Sequence, residues 1–349
     1  MQQASSEIFA GVDIGGTKVA AAVGTAAGQV LAAGAVAIAT EREPGNPSEG
    51  SPSCVLERTA RLIEVLTVQC GATPVAIGVG LPGLVDVSTG TAEFLPNLPG
   101  KWKGARVAEI LRELTGKEVH ILNDARLATL GEYTFGAGRT AANMLLVTVG
   151  TGIGGGLILD GQLRLGLHGA AGEVGHQTIV PDGLPCGCGS RGCLETLASG
   201  PALAAEGAAL LQQDRAPCLR ELAGRGAVTP KLMVAAAAAG DTLVAAAIDR
   251  TARYLGIGIA NAITITAVEL VVITGGMSAL GELLLQPVRE VIRERVRMFP
   301  GEEVRVVCSA LGDQAGVFGG IALAAQRGLT KMDDFRLTAQ VAPEPSGNS

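Results

Sequence analysis

A compact set of sulfur and imidazole side chains lies within the segment 168–195. Cys186, Cys188 and Cys193 are three of the seven cysteines and fall within eight residues, and His176 lies ten residues before the first of them. Three thiolates and one imidazole complete the tetrahedral coordination of Zn²⁺ and leave no open position. Disulfides or reduced surface thiols are the alternatives, but such compact spacing in a sequence without an export signal favours a metal. We predict a structural zinc loop.

A glycine turn near the start of the chain offers groups that bind phosphate. Gly15, Gly16, Thr17 and Lys18 follow an apolar run that ends at Asp13, and a second apolar run, VAAAVG, comes directly after them. This order predicts strand, tight turn, strand. The backbone N–H groups, the hydroxyl and the ammonium of the turn can hold phosphate oxygens. The carboxylate of Asp13 could hold a hydrated Mg²⁺.

The segment 144–160 repeats this arrangement, with Gly150, Thr151 and Gly152 in its turn. Together with Gly155, the two glycines also match the G-x-G-x-x-G fingerprint of dinucleotide-binding proteins. That fingerprint requires a helix after the glycines, whereas a short apolar strand, LILDG, ends this segment. We therefore interpret both turns as hairpin turns that offer phosphate-binding groups to one cleft.

The rest of the chain alternates apolar runs with helical periodicity, which is typical of an α/β fold. A strand over 118–124 ends at Asp124, and a strand over 268–276 ends at Gly275 and Gly276. Ligands of α/β sheets collect at such strand ends. Asp124 also precedes a helical pattern and is expected to be its N-cap. Further strands are predicted at 75–86 and 304–308, and helices at about 55–70, 105–115, 201–213, 230–239, 241–266, 279–297 and 313–327.

Composition limits the classes of partner. With 349 residues and a net charge of −6, the chain is long enough for two domains and is poorly suited to bind a nucleic acid backbone. The mean hydropathy is +0.37, but no apolar run is long enough for a membrane span. The start of the sequence has neither a basic nor an apolar targeting region. We expect a cytoplasmic protein with no nucleic acid and no membrane partner.

Several motifs occur together in the order found in the ROK (repressor, open reading frame, kinase) family. They are DIGGTK at 13–18, Asn123-Asp124-Ala125, GTGIGGG at 150–156, His176 with CGCGSRGC, Gly275-Gly276, and LGDQAG at 311–316. The match covers almost the whole chain, which therefore resembles a ROK sugar kinase, and a bacterial glucokinase most of all.

The resemblance implies the actin-like ATPase or sugar-kinase fold, with two α/β domains around a cleft. The expected division gives a small N-terminal domain, 1–123, which the C-terminal helix at 312–330 completes. A large domain with the zinc loop would span 124–311, and 331–349 is expected to be a disordered tail.

The resemblance also assigns roles to single residues. Asp124 resembles the catalytic base of the family. The sugar-binding positions are expected to be Asn97, Asn123, Asp124, Glu173, His176 and Glu195, and the ATP-binding positions Asp13, Gly15, Gly16, Thr17, Lys18, Gly150, Thr151, Gly152, Gly275 and Gly276. Two positions near the expected sugar depart from the family pattern. Arg126 stands where many members have a second Asn, and Lys101 separates the usual NLPG from its Trp.

The expected reaction is transfer of the γ-phosphoryl group of ATP to the 6-hydroxyl of a hexose, with glucose as the leading substrate and a place in carbohydrate metabolism. ATP, Mg²⁺ and a structural Zn²⁺ would be the cofactors, and a homodimer or homotetramer the assembly. Phosphorylation of N-acetylmannosamine, N-acetylglucosamine or fructose is the first alternative. A ROK repressor is less favoured, because only about six residues precede the first strand and leave no room for a helix-turn-helix. A non-catalytic zinc scaffold would not explain the two glycine hairpins and Asp124.

Overall fold

The computed structural model describes residues 7–38, 51–95, 98 and 100–328. The expectations for Asn97 and for a tail over 331–349 lie outside these residues. The strands are β1 (Ile8–Ile14), β2 (Lys18–Thr25), β3 (Val30–Ala37), β4 (Ala76–Leu81), β5 (Leu84–Asp86), β6 (Thr91–Phe94), β7 (Glu118–Asn123), β8 (Met144–Val149), β9 (Ile153–Leu159), β10 (Gln162–Arg164), β11 (Leu270–Thr274) and β12 (Arg305–Cys308). The helices are α1 (Pro52–Cys70), α2 (Val107–Thr115), α3 (Asp124–Phe135), α4 (Glu195–Ala198), α5 (Gly200–Gln212), α6 (Pro217–Ala223), α7 (Pro230–Ala238), α8 (Thr242–Thr266), α9 (Glu282–Arg295) and α10 (Ala315–Ala325).

Two five-stranded sheets share one topology. The first has the order β3-β2-β1-β4-β7 and the second the order β10-β9-β8-β11-β12. Strand β1 pairs antiparallel with β2 and parallel with β4. In the same way, β8 pairs antiparallel with β9 and parallel with β11. Both predicted glycine hairpins are therefore present, and the apolar strand β9 confirms the rejection of the dinucleotide fingerprint.

Helices cover both faces of the first sheet. Side chains alternate between the faces of a strand, so Ala10 and Val12 of β1 join the core cluster that α1 and α2 also line. Phe9 faces the other way and packs with Val317 and Ile321 of α10. A glycine permits the close approach of this helix, since a Cβ on Gly11 would lie 1.9 Å from the carbonyl oxygen of Val317.

Helix α3 joins the two sheets. It begins directly after β7 of the first sheet and contacts α10, β8 and β9. A Cβ on Gly154 of β9 would lie 3.2 Å from the Cβ of Ala125, so the backbone of the second hairpin lies close to the first turn of this helix. The residues at the start of α3 are thus positioned by both sheets.

The second sheet packs on helices that supply a large apolar core, including residues of α8 and α9. The short helix α6 was not predicted, and the helix predicted over 279–297 begins instead as a 3₁₀ turn before α9. None of the helices that the structure describes has both the length and the hydropathy to cross a bilayer.

Candidate functional site

The cysteine-rich segment folds back on itself into a compact loop. An isolated β-bridge pairs Thr178 with Cys193. Gly192 has a φ of +62°, and a Cβ at this position would lie 1.6 Å from the carbonyl oxygen of Val180. Only glycine adopts this conformation and permits this contact without strain. The fold of the loop brings the sulfur atoms of Cys186, Cys188 and Cys193 close together.

The four predicted ligands lie together in a geometry that suits a tetrahedral metal. One ligand atom from each of His176, Cys186, Cys188 and Cys193 lies within 4.8 Å of the others. The Sγ atoms of Cys188 and Cys193 are 3.8 Å apart, and Nδ1 of His176 is 3.7 Å from Sγ of Cys186. Tetrahedral bonds to Zn²⁺ would separate two sulfurs by about 3.8 Å and a nitrogen from a sulfur by about 3.6 Å. A disulfide, with about 2.05 Å between its sulfurs, does not fit these distances.

The thiols of this cluster differ in acidity. Burial raises the pKa of Cys193 to about 12 and also raises the pKa of Cys186. The backbone N–H of Ser190 lowers the pKa of Cys188. Metal ligands must be thiolates, so coordination would release protons from the two buried thiols. A bound cation would supply the favourable charge interaction that this deprotonation requires.

Glu173 lies between the cysteine cluster and α3. Its Oε1 accepts a hydrogen bond from Nη2 of Arg126 at 2.7 Å, and its Oε2 lies 3.7 Å from Nε2 of His176. The imidazole therefore faces the cysteines with Nδ1 and the carboxylate with Nε2. The distance of 3.7 Å is longer than a hydrogen bond, so the carboxylate lies close to the imidazole without bonding to it.

The N-cap of α3 is Asn123, and the prediction that Asp124 caps this helix is wrong. Asn123 has extended backbone angles (φ −63°, ψ 145°), and its side chain accepts hydrogen bonds from the N–H groups of Ala125 and Arg126. The strand continues through Asn123, so Asp124 is the first helical residue. Oδ1 of Asp124 accepts hydrogen bonds from Nδ2 of Asn123 at 3.0 Å and from the N–H of Ala125 at 2.8 Å.

Asp124 and Asp13 are half-buried carboxyl groups on neighbouring parts of the first sheet. Desolvation is the largest cause that raises the pKa of Asp124 to about 7, and the charge of Asp13 adds to it. Desolvation also raises the pKa of Asp13 to about 6, although Lys18 opposes this shift. A carboxyl group with a pKa near neutrality can accept a proton in a reaction at neutral pH.

The backbone of the glycine-containing turns has open space beside it. Around Gly150 and around Gly276, a Cβ would meet no atom within 4 Å, and at Gly15 it would meet only the Lys18 carbonyl oxygen, at 3.4 Å. Thr17, Lys18 and Thr151 are exposed on these turns. Gly275 has a φ of +85° and turns the chain sharply at the end of β11. These turns leave open space beside their backbone, while the N–H groups of Gly15 and Gly150 donate to the carbonyl oxygens of Lys18 and Gly152 within the turns.

Glu195 ties the cysteine loop to the second glycine turn. Its Oε2 accepts a hydrogen bond from the N–H of Ile153 at 2.9 Å. A Cβ on Gly152 would lie 2.4 Å from the same oxygen, so a side chain at this position would displace the carboxylate. The other oxygen, Oε1, lies 3.9 Å from Sγ of Cys186.

Comparison with known proteins identifies the family. The ROK family model matches residues 9–327. The chain is 35% identical over 324 residues to a glucokinase of Halalkalibacterium halodurans, covering 90% of this chain and 94% of that protein. The chain belongs to the ROK family. The predicted family and its actin-like fold are confirmed.

Both kinases and regulators of the ROK family resemble this chain. A ROK glucokinase of Streptomyces griseus, solved with glucose and AMPPNP, superposes with a TM-score of 0.76 at 34% identity and covers 91% of this chain and 99% of its own. A xylose repressor of Caldicellulosiruptor bescii is 35% identical over 265 residues, which cover 75% of this chain and 66% of the repressor. Family membership alone therefore does not choose between catalysis and regulation.

The structure brings together the described residues of the predicted sugar site, which are Asn123, Asp124, Glu173, His176 and Glu195. Arg126 links Asn123 to Glu173, and Cys186 lies between His176 and Glu195. Asn97 lies outside the described residues, and Lys101 is exposed beside the buried Trp102.

Arg126 is the site residue that the sequence did not assign. It was noted only as a departure from the family pattern, yet it contacts both Asn123 and Glu173. Its position two residues after Asp124 was the one feature of the sequence that could have indicated a role in the site.

Proposed function

We propose that this protein is an ATP-dependent hexose kinase that phosphorylates the 6-hydroxyl of glucose. The observation that carries the proposal is the half-buried carboxyl group of Asp124, whose pKa is about 7. It lies where the first sheet, the second hairpin and the cysteine loop converge. A regulator that only binds a sugar has no need of a proton acceptor at this point.

Phosphoryl transfer needs the attacking hydroxyl in line and an acceptor for its proton. In the proposed reaction, the 6-oxygen of the hexose forms a bond to the γ-phosphorus as the bond to the bridging oxygen breaks. The hydroxyl proton passes to Asp124, and ADP leaves with the electron pair of the broken bond. The Nδ2 group of Asn123, 3.0 Å from Oδ1 of Asp124, fixes the carboxylate for this step.

The sugar is proposed to bind between Asn123 and the cysteine loop. A hexose presents hydroxyls that both donate and accept, and carboxylates and amides are suitable partners. Glu173 and Glu195 offer carboxylates, and His176 offers an imidazole that lies close to Glu173. Asn97 remains an expected contact from the family resemblance.

The two glycine turns are proposed to bind the phosphates of ATP. The open space at Gly150 and at Gly276 is where a side chain would obstruct a ligand. Lys18 and Thr17 add a charge and a hydroxyl to the first turn. Asp13 would hold hydrated Mg²⁺, which neutralises phosphate charge when bound.

The cysteine cluster is proposed to hold a structural Zn²⁺, with His176, Cys186, Cys188 and Cys193 as ligands. The sulfur and nitrogen separations fit tetrahedral coordination, and the four ligands leave no open position for chemistry. The ion would fix the loop that carries Glu173 and Glu195. Its effect on the reaction is therefore indirect, through the positions of sugar-binding groups.

An ATP-coupled assay across a panel of hexoses tests the proposal. We expect kcat/KM to be highest for glucose. A higher value for N-acetylmannosamine, N-acetylglucosamine or fructose would change the substrate but keep the kinase. If the protein binds a sugar but phosphorylates no member of the panel, the result would favour a regulator similar to the xylose repressor. The family resemblance also supports a homodimer or homotetramer in the cytoplasm, which we include in the proposal.

A further inference from the structure

Arg126 is a buried charge at the centre of the site. Its side chain is 1% exposed, although it lies on the first turn of α3, beside Asp124. A buried guanidinium is costly unless its N–H groups find acceptors. One acceptor is Oδ1 of Asn123, 2.9 Å from Nη1, and the other is Oε1 of Glu173, 2.7 Å from Nη2.

These two contacts join parts of the chain that carry different functions. Asn123 and Asp124 belong to the junction of β7 and α3, whereas Glu173 belongs to the loop that leads to His176. The Arg126–Glu173 pair spans 47 residues of sequence. Beyond Glu173, the second carboxylate oxygen faces the imidazole of His176. A line of polar contacts thus runs to the cysteine cluster from residues 123–126 at the start of α3, which we call the catalytic turn.

We propose that Arg126 is a positioning residue that sets sugar affinity by holding Glu173 at the edge of the catalytic turn. This inference rests on the proposed kinase function and deepens it. Because Oε1 of Glu173 accepts a hydrogen bond from the guanidinium, the carboxylate is held in one orientation, and its remaining lone pairs are available to a sugar hydroxyl. Glu173 would therefore present an oriented carboxylate to the sugar.

A purely stabilising role explains the arrangement less well. Nε of Arg126 is buried and has no hydrogen-bond partner among the described residues. A buried ion pair with an unsatisfied donor is a poor source of stability compared with apolar packing. The contacts that are made go to two residues of the proposed sugar site. This selection favours a role in orienting those residues.

The direct test is the variant Arg126→Asn, which introduces the residue type that the family resemblance associates with this position. Loss of a hydrogen bond to a charged group is expected to raise the KM for glucose by about 10- to 100-fold. The KM for ATP should stay within about twofold, since Arg126 contacts neither glycine turn. Glucose affinity measured by calorimetry without nucleotide should fall by the same factor as the KM rises.

A second variant protects the test against misfolding. Arg126→Lys keeps the charge in the cavity but replaces the fork that reaches two acceptors by a single ammonium. We expect an intermediate rise in glucose KM with an unchanged metal content. The matched control is Arg289→Asn, because Arg289 also pairs with a carboxylate and donates to a backbone oxygen, that of Val306, but lies on α9. This control should leave the glucose KM unchanged.

Monodeoxyglucoses reveal the hydroxyl that Glu173 recognises. For the analogue that lacks this hydroxyl, Arg126→Asn should cost nothing further in kcat/KM, because the contact is already absent. An equal loss on every analogue, or an unchanged glucose KM in a folded Arg126→Asn protein, would overturn the inference. A wild-type protein with no hexokinase activity would instead overturn the proposed function.

Discussion

Asp13 and Asp124 both lie next to Gly80 of β4, the strand that pairs with β1 on one side and with β7 on the other. A Cβ on Gly80 would lie 3.5 Å from Oδ1 of Asp13 and 3.5 Å from Cα of Asp124. The same Cβ would lie only 2.8 Å from Cδ2 of Leu127, so a side chain at this position would disturb α3 and the two acids beside it. Asp13 lies near the end of β1, before the first glycine turn, and Asp124 begins α3. Substrate hydroxyl and nucleotide phosphate would meet between them.

The first prediction separates the catalytic role of Asp124 from its structural role. Because Asn123 caps α3, the isosteric change Asp124→Asn leaves the N-cap intact. We expect near-normal folding and retained glucose binding, with kcat lower by roughly 10²- to 10⁴-fold. Steady-state kinetics and calorimetry measure these quantities. If turnover is largely retained, the base must be sought at Glu173 or Glu195.

The second prediction concerns stability and pH. The pKa of Asp124 is raised from 3.8 to about 7, so the folded protein retains a proton that the unfolded chain releases. The stability that this group contributes is fully present below about pH 3.8 and is lost as the pH rises through about 7. The variant Asp124→Asn has no ionisable group at this position, so its stability lacks this dependence on pH. At pH 8 the variant should be more stable than the wild type by on the order of 2 kcal/mol.

Denaturant unfolding between pH 5 and pH 8, without nucleotide or Mg²⁺, measures this difference. The relevant quantity is the gap between the variant and the wild type, because groups that do not interact with Asp124 titrate equally in both. Asp182→Asn on the exposed surface is the control. A gap that does not widen between these pH values would contradict the predicted shift of the Asp124 pKa.

Local sequence patterns predicted the hairpins and the convergence of His176 with the three cysteines, because both depend on residues close in the chain. Adjacent glycines between apolar runs force a turn, and the cysteines fall within eight residues. The identity of the N-cap of α3 depended on a finer point. Asn and Asp are both good caps, so Asn123 and Asp124 could be told apart only by where β7 ends.

Contacts between distant residues could not be predicted from one sequence. Arg126 reaches Glu173 across 47 residues, and Glu132 reaches Leu311 across 179. Local periodicity does not predict such contacts, because they form only when α3 packs between the two sheets. The short helix α6 was missed for another reason, since seven residues are too few to show a helical period clearly.

The third prediction concerns the metal. Cys188→Ser removes one proposed ligand from an exposed position, so the change itself should create no cavity in the core. We expect less than one Zn²⁺ per chain, a higher glucose KM and a lower melting temperature, with the KM for ATP little changed. Metal analysis and steady-state kinetics on the same preparation test this. The control is the variant Cys218→Ser, which changes a cysteine outside the cluster. This variant should have the same zinc content as the wild type. Purified wild-type protein without zinc but with full activity would contradict the prediction.

The fourth prediction concerns the buried carboxylate of Glu132, on the last turns of α3. Its Oε1 accepts hydrogen bonds from the N–H of Leu311, at 2.8 Å, and from the hydroxyl of Ser309. Oε2 accepts from the N–H groups of Ala137 at 2.8 Å and Ala310 at 3.3 Å. The side chain thus fixes the chain between β12 and α10 against α3.

Glu132→Gln replaces one accepting oxygen by an NH₂ group that faces backbone donors. Because the Glu132 side chain is fully buried, the new NH₂ group could not turn to water, and we expect the free energy of unfolding to fall by about 2 kcal/mol. Glucose and ATP KM values should change little near room temperature, since Glu132 contacts none of the proposed ligand-binding residues. Thermal unfolding measured beside Glu64→Gln, an exposed control on α1, isolates the effect of burial. If Glu132→Gln melts with the wild type, the Ser309–Leu311 segment must be held by other contacts, such as the bond from the Ser309 N–H to the Ile273 carbonyl.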